Sequence, residues 1–364
     1  MQAALALARR GLGRVWPNPA VGCVLVRPDL DGRVVGRGWT QPGGRPHAEA
    51  MALQAAGEEA RGATAYATLE PCAHTGDTPP CADALIVAGV ARVVVATGDP
   101  DPRVDGQGLA RLADAGVEVS TGVLTDEATD LNAGFISRVQ HGRPLFTLKT
   151  ATTLDGRIAT RSGDSQWITG TTARAEGHLL RAEHDAVLTG IGTARADDPA
   201  LTCRLPGMAD RSPVRIVCDS GLDLSPASQL ATTARDIPVL LITVNGHDAG
   251  KAAALTGLGV EILCVGNDGE GRPAPMETAK ALGTRGFTRV LVEAGATLTA
   301  AFMGAGLIDR IVWFRAAKAI GGDGLGAIAE LGIESLGRAF TYERDGVREC
   351  GNDLIETYRA TNRG

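Results

Sequence analysis

The sequence predicts two α/β domains in succession, each a sheet layered with helices. Three observations lead there. The chain has 364 residues, more than one hydrophobic core comfortably organises, since domains run to about 100–200 residues. Apolar strand candidates alternate with helical stretches along the whole length, the order that builds layered α/β folds. The short polar connection His141-Gly142-Arg143-Pro144 divides that series into residues 1–143 and 144–364. With 44% hydrophobic and 21% charged residues, the composition is that of ordinary globular protein.

In the first part, Met1–Leu12 reads as an amphipathic helix, and Val21–Arg27 with Val34–Gly38 as a strand pair around the Asp31-Gly32 turn. The helical spacing of Ala50, Leu53 and Ala56 marks a helix over His47–Glu59. A strand follows at Ala63–Leu69, a helix at Cys81–Ala88 and a strand at Arg92–Thr97. After the Asp99-Pro100-Asp101-Pro102 loop come a helix near Gly108–Ala115, a strand at Val117–Ser120 and one helix from Asp126 to Val139. The order predicts a mixed sheet.

The second part offers strands at Leu145–Thr153, Ala186–Thr189, Val214–Cys218, Val239–Val244, Val260–Val265, Arg289–Val292 and Arg310–Phe314. Helices are expected at Thr171–Glu183, Met276–Gly283 and Thr297–Met303, with Asp268–Pro275 as a linker-like loop. That makes a sheet of six or more strands.

Charge and cysteine usage narrow the function classes. Of 36 basic residues only four are lysines (Lys149, Lys251, Lys280, Lys318), and the net charge is −6. A protein relying on the phosphate backbone should be basic, so nucleic acid is not expected as a partner. The apolar runs are too short to span a bilayer, and no membrane partner is expected. Leu5-Ala6-Leu7 precedes Arg9 and Arg10, the reverse of a secretory signal, so a cytoplasmic protein is expected. Seven scattered cysteines argue against a disulfide framework.

The sharpest local signal is His47-Ala48-Glu49 followed by Pro71-Cys72 and then Cys81. One imidazole and two thiolates form a three-ligand zinc set that keeps a tetrahedral position open for water, the mark of a catalytic site. Glu49 is then free of the metal and available to move a proton from water to a leaving amine. His-x-Glu with a downstream Pro-Cys-x-x-Cys is the signature of zinc deaminases, but here eight residues, Ala73 to Pro80, separate the cysteines. The two cysteines can still converge if both open helical turns and the glycine and prolines between them form a tight loop over the site. A closed structural zinc site would need a fourth ligand, and His74 is the nearby candidate. A zinc-stabilised binding module, for nucleic acid or a partner protein, is the alternative of another class. Acidic charge and the lack of lysine in the first 143 residues oppose its nucleic-acid form.

Pro17-Asn18-Pro19-Ala20-Val21-Gly22, the His-Ala-Glu triplet and Glu70 through Cys81 resemble the deaminase half of the bifunctional riboflavin-biosynthesis deaminase/reductase family, RibD. The resemblance continues through Leu148-Lys149, Ser165 to Thr169, Thr189 to Thr193, Ala196 to Pro199 and Val292 to Gly295, and so spans nearly the whole chain. It implies that the eight-residue spacer is the family's own. It implies a cytidine-deaminase-like three-layer domain followed by a dihydrofolate-reductase-like domain. The first would hydrolyse the 2-amino group of a diaminopyrimidinone ribosylamino 5′-phosphate. The second would reduce the ribosyl group to ribityl with NADPH. A deaminase whose second half binds substrate without reducing it is the enzymatic alternative.

By the same resemblance His47, Cys72 and Cys81 hold zinc, Glu49 shuttles the proton and Asn18 sits in the base pocket. Ala151, Trp167, Thr193, Asp197, Ser220 and the run Gly295, Ala296, Thr297, Leu298, Thr299, Ala300, Ala301 match NADPH positions. Ser165, Arg181, Leu201, Arg204 and Glu293 match substrate positions, and Lys149 is expected beside the ring-opened sugar. Arg181 and Arg204 suit a phosphate because a guanidinium grips oxygens bidentately. Small pyrimidine ribosyl phosphates are the expected partners, and a homo-oligomer is expected. No Gly-x-Gly-x-x-Gly occurs, so an ordinary dinucleotide fingerprint is absent. Ala317 stands where the family pattern has proline, and His141, His178, His184 and His247 carry no partner motif and read as structural.

Overall fold

The computed structural model describes residues 1–74, 79–102 and 104–361. The chain divides into two compact units, Met1–Gly142 and Arg143–Gly364. Arg143 belongs with the second unit: its guanidinium donates to both carboxylate oxygens of Asp309, at 2.8 and 2.9 Å.

The first unit runs α1 (Gln2–Ala8), β1 (Gly22–Arg27), β2 (Arg33–Trp39), α2 (Ala48–Ala56), β3 (Thr64–Ala67), α3 (Cys81–Val87), β4 (Arg92–Val95), α4 (Gln107–Asp114), β5 (Glu118–Thr121), α5 (Thr125–Leu131) and α6 (Ala133–His141). Its sheet has the order β2-β1-β3-β4-β5, with β1 antiparallel to both neighbours and β3, β4 and β5 parallel. Alternation along the strands sends side chains into two layers. Cys23, Leu25, Val93 and Val95 pack with Ala48, Ala52, Leu85 and Leu112 of α2, α3 and α4 on one face. Ala20 and Ala96 pack with Leu5, Ala128 and Leu131 of α1 and α5 in a second cluster. Gly36 and Gly38 on β2 let α2 lie directly on the sheet, since a Cβ at either would overlap the carbonyl of Ala52 or Ala48. This close approach fixes the start of α2, where His47 and Glu49 stand.

The single helix expected over Asp126–Val139 is two helices, α5 and α6. Asn132 breaks it with φ −99° and ψ 13°. Its side chain is occupied by the backbone of Ala20, accepting from the amide at 2.9 Å and donating to the carbonyl at 3.0 Å. An asparagine used this way competes with helix continuation.

The second unit contains β6 (Leu145–Thr152), β7 (Arg157–Ala159), α7 (Thr171–Ala182), β8 (Ala186–Gly190), α8 (Ile191–Asp197), β9 (Val214–Cys218), α9 (Gln229–Thr232), β10 (Val239–Val244), α10 (Ala249–Gly257) and β11 (Glu261–Val265). It continues with α11 (Pro275–Thr284), β12 (Arg289–Val292), α12 (Ala296–Gly304), β13 (Ile308–Ala316), β14 (Leu325–Gly326), β15 (Tyr342–Cys350) and β16 (Asp353–Ala360). Nine strands form one sheet in the order β11-β10-β9-β8-β12-β6-β13-β16-β15. The first seven are mutually parallel, and β16 and β15 extend the edge antiparallel. In such sheets ligands bind beyond the carboxyl ends of the strands. The linker-like loop at 268–275 is instead tied down by a bridge between Asn267 and Pro273. Among the described residues no helix is long and apolar enough to cross a membrane.

Candidate metal centre and second-unit cavity

His47 is the N-cap of α2 and Glu49 lies in its first turn. Cys81 is the first residue of α3. Cys72, expected to open a helical turn like Cys81, lies outside any helix; it is held onto that helix start because its sulfur accepts the Cys81 amide at 3.3 Å and its carbonyl accepts the Ala82 amide at 3.2 Å. His47 Nδ1 then lies 3.3 Å from Cys81 Sγ and 3.6 Å from Cys72 Sγ. All three ligand atoms fall within 4.8 Å of one another.

A tetrahedral zinc with ordinary Zn–N and Zn–S bonds needs N to S edges of about 3.5 Å and an S to S edge of about 3.8 Å, so this donor set fits the metal. His74 stands outside the group, and its Nδ1 is buried without a hydrogen-bond partner among the described residues. Residues 75–78, including Gly76 of the expected tight loop, lie outside the described residues.

The Cys81 thiol, with help from His47, holds the Cys72 thiol down to about 4. Its own hydrogen bond to Cys72, together with burial, pushes the Cys81 thiol up. The pair therefore shares one proton, which a bound metal displaces. Glu49 is only 3% exposed, and burial raises its carboxyl above the ordinary glutamate range. Asn18 lies against Gly44, three residues before His47: a Cβ there would overlap its side-chain amide.

Sequence reasoning gave Glu70 no role, yet its buried carboxylate organises the Cys72 turn. It accepts the amides of Asp99 (3.4 Å), Gly106 (3.1 Å), Gly108 (2.9 Å) and Leu109 (3.3 Å), binding the start of α4 to the end of β3. Only an acidic residue directly before Pro-Cys hinted at it.

Removing a thiolate from a three-ligand set should empty it. Cys72→Ser or Cys81→Ser is expected to lower bound zinc well below one per chain, whereas serine at Cys23, Cys203, Cys218, Cys264 or Cys350 should leave metal content unchanged. Atomic absorption on purified protein decides; stoichiometric zinc in the double Cys72→Ser, Cys81→Ser variant would place the metal elsewhere.

In the second unit a cavity of about 680 Å³ opens at the carboxyl ends of β6, β8, β9 and β12. Lys149, Ser165, Arg181, Arg204 and Glu293 of the expected substrate set line it. So do Ala151, Trp167, Thr193, Asp197, Ser220, Gly295, Ala296, Thr297, Leu298 and Ala301 of the expected cofactor set. Leu201, Thr299 and Ala300 do not line it. Leu201 packs in the core with Val187 and Val217, while Thr299 and Ala300 are buried on the inner side of α12. Trp167 is 59% exposed under the Arg174 guanidinium, 4.5 Å from its ring centroid.

Glu293 is the hub of the cavity floor. Arg181 Nε and Nη2 donate to its two oxygens at 2.6 and 2.9 Å, and Lys149 Nζ lies 3.5 Å away. Arg181 Nη1 donates to the Thr202 carbonyl at 3.1 Å. The fork expected to grip phosphate is thus turned onto a carboxylate, while Arg204 is exposed at the cavity wall. Thr193 Oγ1 accepts the Gly295 amide at 3.2 Å, joining the start of α8 to that of α12. His184, expected to be structural, is buried between the Leu180 carbonyl and Thr147. His178, expected to be the same, lines the cavity.

Burial alone would raise the Glu293 carboxyl, but Arg181 and then Lys149 overcome it and hold it at about 2, against an ordinary 4.5. The folded pKa is depressed, so the ion pair contributes fully above pH 4.5 and is lost as pH falls toward about 2, a change of roughly 3 kcal/mol. Thermal melts of the wild type are expected to show this acid limb. Glu293→Gln should flatten it, and an unchanged limb would refute the assignment.

Comparison with known proteins gives the class first. Residues 1–97 match the cytidine and deoxycytidylate deaminase zinc-binding region, and residues 144–355 match the RibD C-terminal domain. A zinc-binding deaminase domain is therefore followed by a reductase domain. The chain is 42% identical over 355 residues to riboflavin biosynthesis protein RibD of Aquifex aeolicus, covering 98% of this chain and 96% of that protein. The solved structure of Acinetobacter baumannii RibD, form 1, is 38% identical with a TM-score of 0.87, over 99% of this chain and 98% of that one. A diaminohydroxyphosphoribosylaminopyrimidine deaminase/5-amino-6-(5-phosphoribosylamino)uracil reductase from Thermotoga maritima is 34% identical, with a TM-score of 0.85 over 99% and 97% of the two chains. The chain belongs to the RibD family, the bifunctional deaminase/reductases of riboflavin biosynthesis.

Proposed function

We propose that this chain deaminates 2,5-diamino-6-ribosylamino-4(3H)-pyrimidinone 5′-phosphate in its first unit and reduces the product's ribosyl group with NADPH in its second, giving 5-amino-6-ribitylaminouracil 5′-phosphate. The observation that carries the reading is the convergence of His47, Cys72 and Cys81 beside the buried Glu49. Zinc held by those three residues would supply Lewis acidity that lowers the pKa of water to about 7. Glu49 takes the water's proton on its carboxylate and returns it to the exocyclic amine, which leaves as ammonia while the ring carbon gains the oxygen. Asn18 holds the base.

In the second unit NADPH supplies the hydride. Lys149 gives a proton to the sugar ring oxygen as C1′ is reduced, so the ring C–O bond opens to a hydroxyl and the ribityl chain results. Glu293 and Arg181 orient the Lys149 ammonium, and Arg204 meets the substrate phosphate. Ala296 and Thr297 open α12 where it lines the cavity, and a helix start suits the cofactor's phosphates. Thr193, Asp197, Ser220, Ala151 and Trp167 complete that side.

The units are expected to work separately. A chain starting at Arg143 contains a core of its own and the whole cavity, and should consume NADPH on the deaminated substrate with or without a chelator. Absorbance of the reduced nicotinamide reports it. Consumption seen only with the full chain would mean that the reductase site draws on the first unit.

A further inference from the structure

The inner face of α7 presents Arg174, His178 and Arg181 to the reductase cavity at positions i, i+4 and i+7. The two arginines are engaged. Arg174 lies over Trp167 and donates to the Thr169 carbonyl at 2.9 Å, and Arg181 is spread over Glu293 and Thr202. His178 differs. Its Nδ1 is 3.0 Å from the same Thr202 carbonyl that accepts from Arg181. A carbonyl oxygen only accepts, so Nδ1 carries the hydrogen and the neutral ring keeps a lone pair on Nε2. Burial and the charges of Arg181 and Arg204 lower the imidazole below its ordinary range, which keeps that tautomer at neutral pH.

The cationic groups that bear on His178, Arg181 and Arg204, are donors without acceptors. Both Glu293 oxygens are already paired. Nε2 is thus an acceptor set among donors, with no hydrogen-bond partner among the described residues. A phosphate dianion, which offers acceptors alone, cannot satisfy it; a hydroxyl can. We infer that His178 is a specificity-determining residue of the reductase site, accepting a hydrogen bond at Nε2 from a hydroxyl of the substrate's sugar chain. The inference rests on the reductase reading above and divides the labour on this wall: Arg204 takes the phosphate, His178 a hydroxyl.

Two amide substitutions separate the ring's two nitrogens. His178→Gln places an oxygen near the Nε2 position and gives up the Thr202 contact; His178→Asn keeps a donor for Thr202 and removes the acceptor. His178→Asn is expected to raise KM for the ribosylaminouracil phosphate about 3- to 10-fold with kcat little changed, and His178→Gln to recover most of that loss. The Kd for NADPH alone, read by fluorescence, should stay the same in both. Analogues of the substrate lacking the 2′- or 3′-hydroxyl should show one that weakens binding to the wild type by the same factor and to His178→Asn not at all. Thermal melts and ammonia release by the first unit monitor the folded chain.

The reverse order, with Asn near wild type and Gln impaired, would show that His178 acts through Thr202 and would overturn the inference. A shift in NADPH Kd would assign the hydroxyl to the cofactor and overturn it equally. Neither analogue losing affinity on the wild type would do the same without any variant. A wild-type chain that never oxidises NADPH would instead defeat the reductase reading itself.

Discussion

Glu49→Gln is expected to keep its zinc and to lose ammonia release by about 10²–10⁴-fold, the usual contribution of a positioned acid–base group. The amide has the size and shape of the carboxylate, so α2 should still seat on Gly36 and Gly38 and deliver His47 unchanged. What disappears is the capacity to accept a proton. Glu49 is buried in the first turn of α2, outside the three-residue ligand group. Metal analysis and an ammonia assay on the same preparation separate the two functions. Zinc loss in parallel with activity would make Glu49 a ligand or a support for one, and retained turnover would remove it from the chemistry.

Lys149→Met is expected to lower reduction by about 10²–10⁴-fold while leaving deamination intact, because methionine fills the side chain's path and cannot donate a proton. The fold should tolerate it. Glu293 keeps both Arg181 hydrogen bonds, at 2.6 and 2.9 Å, so its buried carboxylate remains paired after the lysine is gone. The remaining contact, with the ammonium 5.6 Å from the Phe314 ring centroid, is replaced by a thioether against the same ring. Ammonia release and NADPH oxidation, measured on one sample, give the split directly. Equal losses in both would point to a global defect, and unchanged NADPH oxidation would take Lys149 out of the proton transfer.

The metal centre was legible because its chemistry is written in local order: a histidine at a helix start, an acid two residues later, and two cysteines downstream, of which only Cys81 opens a helix. Much of the alternating strand series was legible for a similar reason, since buried parallel strands such as Leu145–Thr152 and Val239–Val244 are short apolar runs closed by turn residues. The edge hairpin β15–β16 escaped notice because β15, exposed along most of its length, carries Glu, Arg and Asp where a buried strand would be apolar. The break at Asn132 was hidden because its cause, the backbone of Ala20, lies 112 positions away. The same distance problem separates Arg181 from Glu293 and Glu70 from Gly108. Residue type suggested what those groups could do, and only the fold shows which partner each one meets. His178 is the sharpest case: without the Thr202 carbonyl, nothing distinguishes its two nitrogens.

A hydrolytic deamination and then a hydride reduction are expected at two separate sites of one chain. Mass spectrometry of the products formed from the diaminopyrimidinone ribosylamino phosphate, with and without NADPH, tests this expectation most directly. Without NADPH the deaminated ribosylaminouracil phosphate should accumulate, about 1 Da heavier than the starting compound as an amine is exchanged for oxygen. With NADPH a further gain of two hydrogens, to the ribityl product, is expected. Deamination that goes no further when NADPH is supplied, or reduction of the aminated compound before ammonia is released, would contradict the expectation.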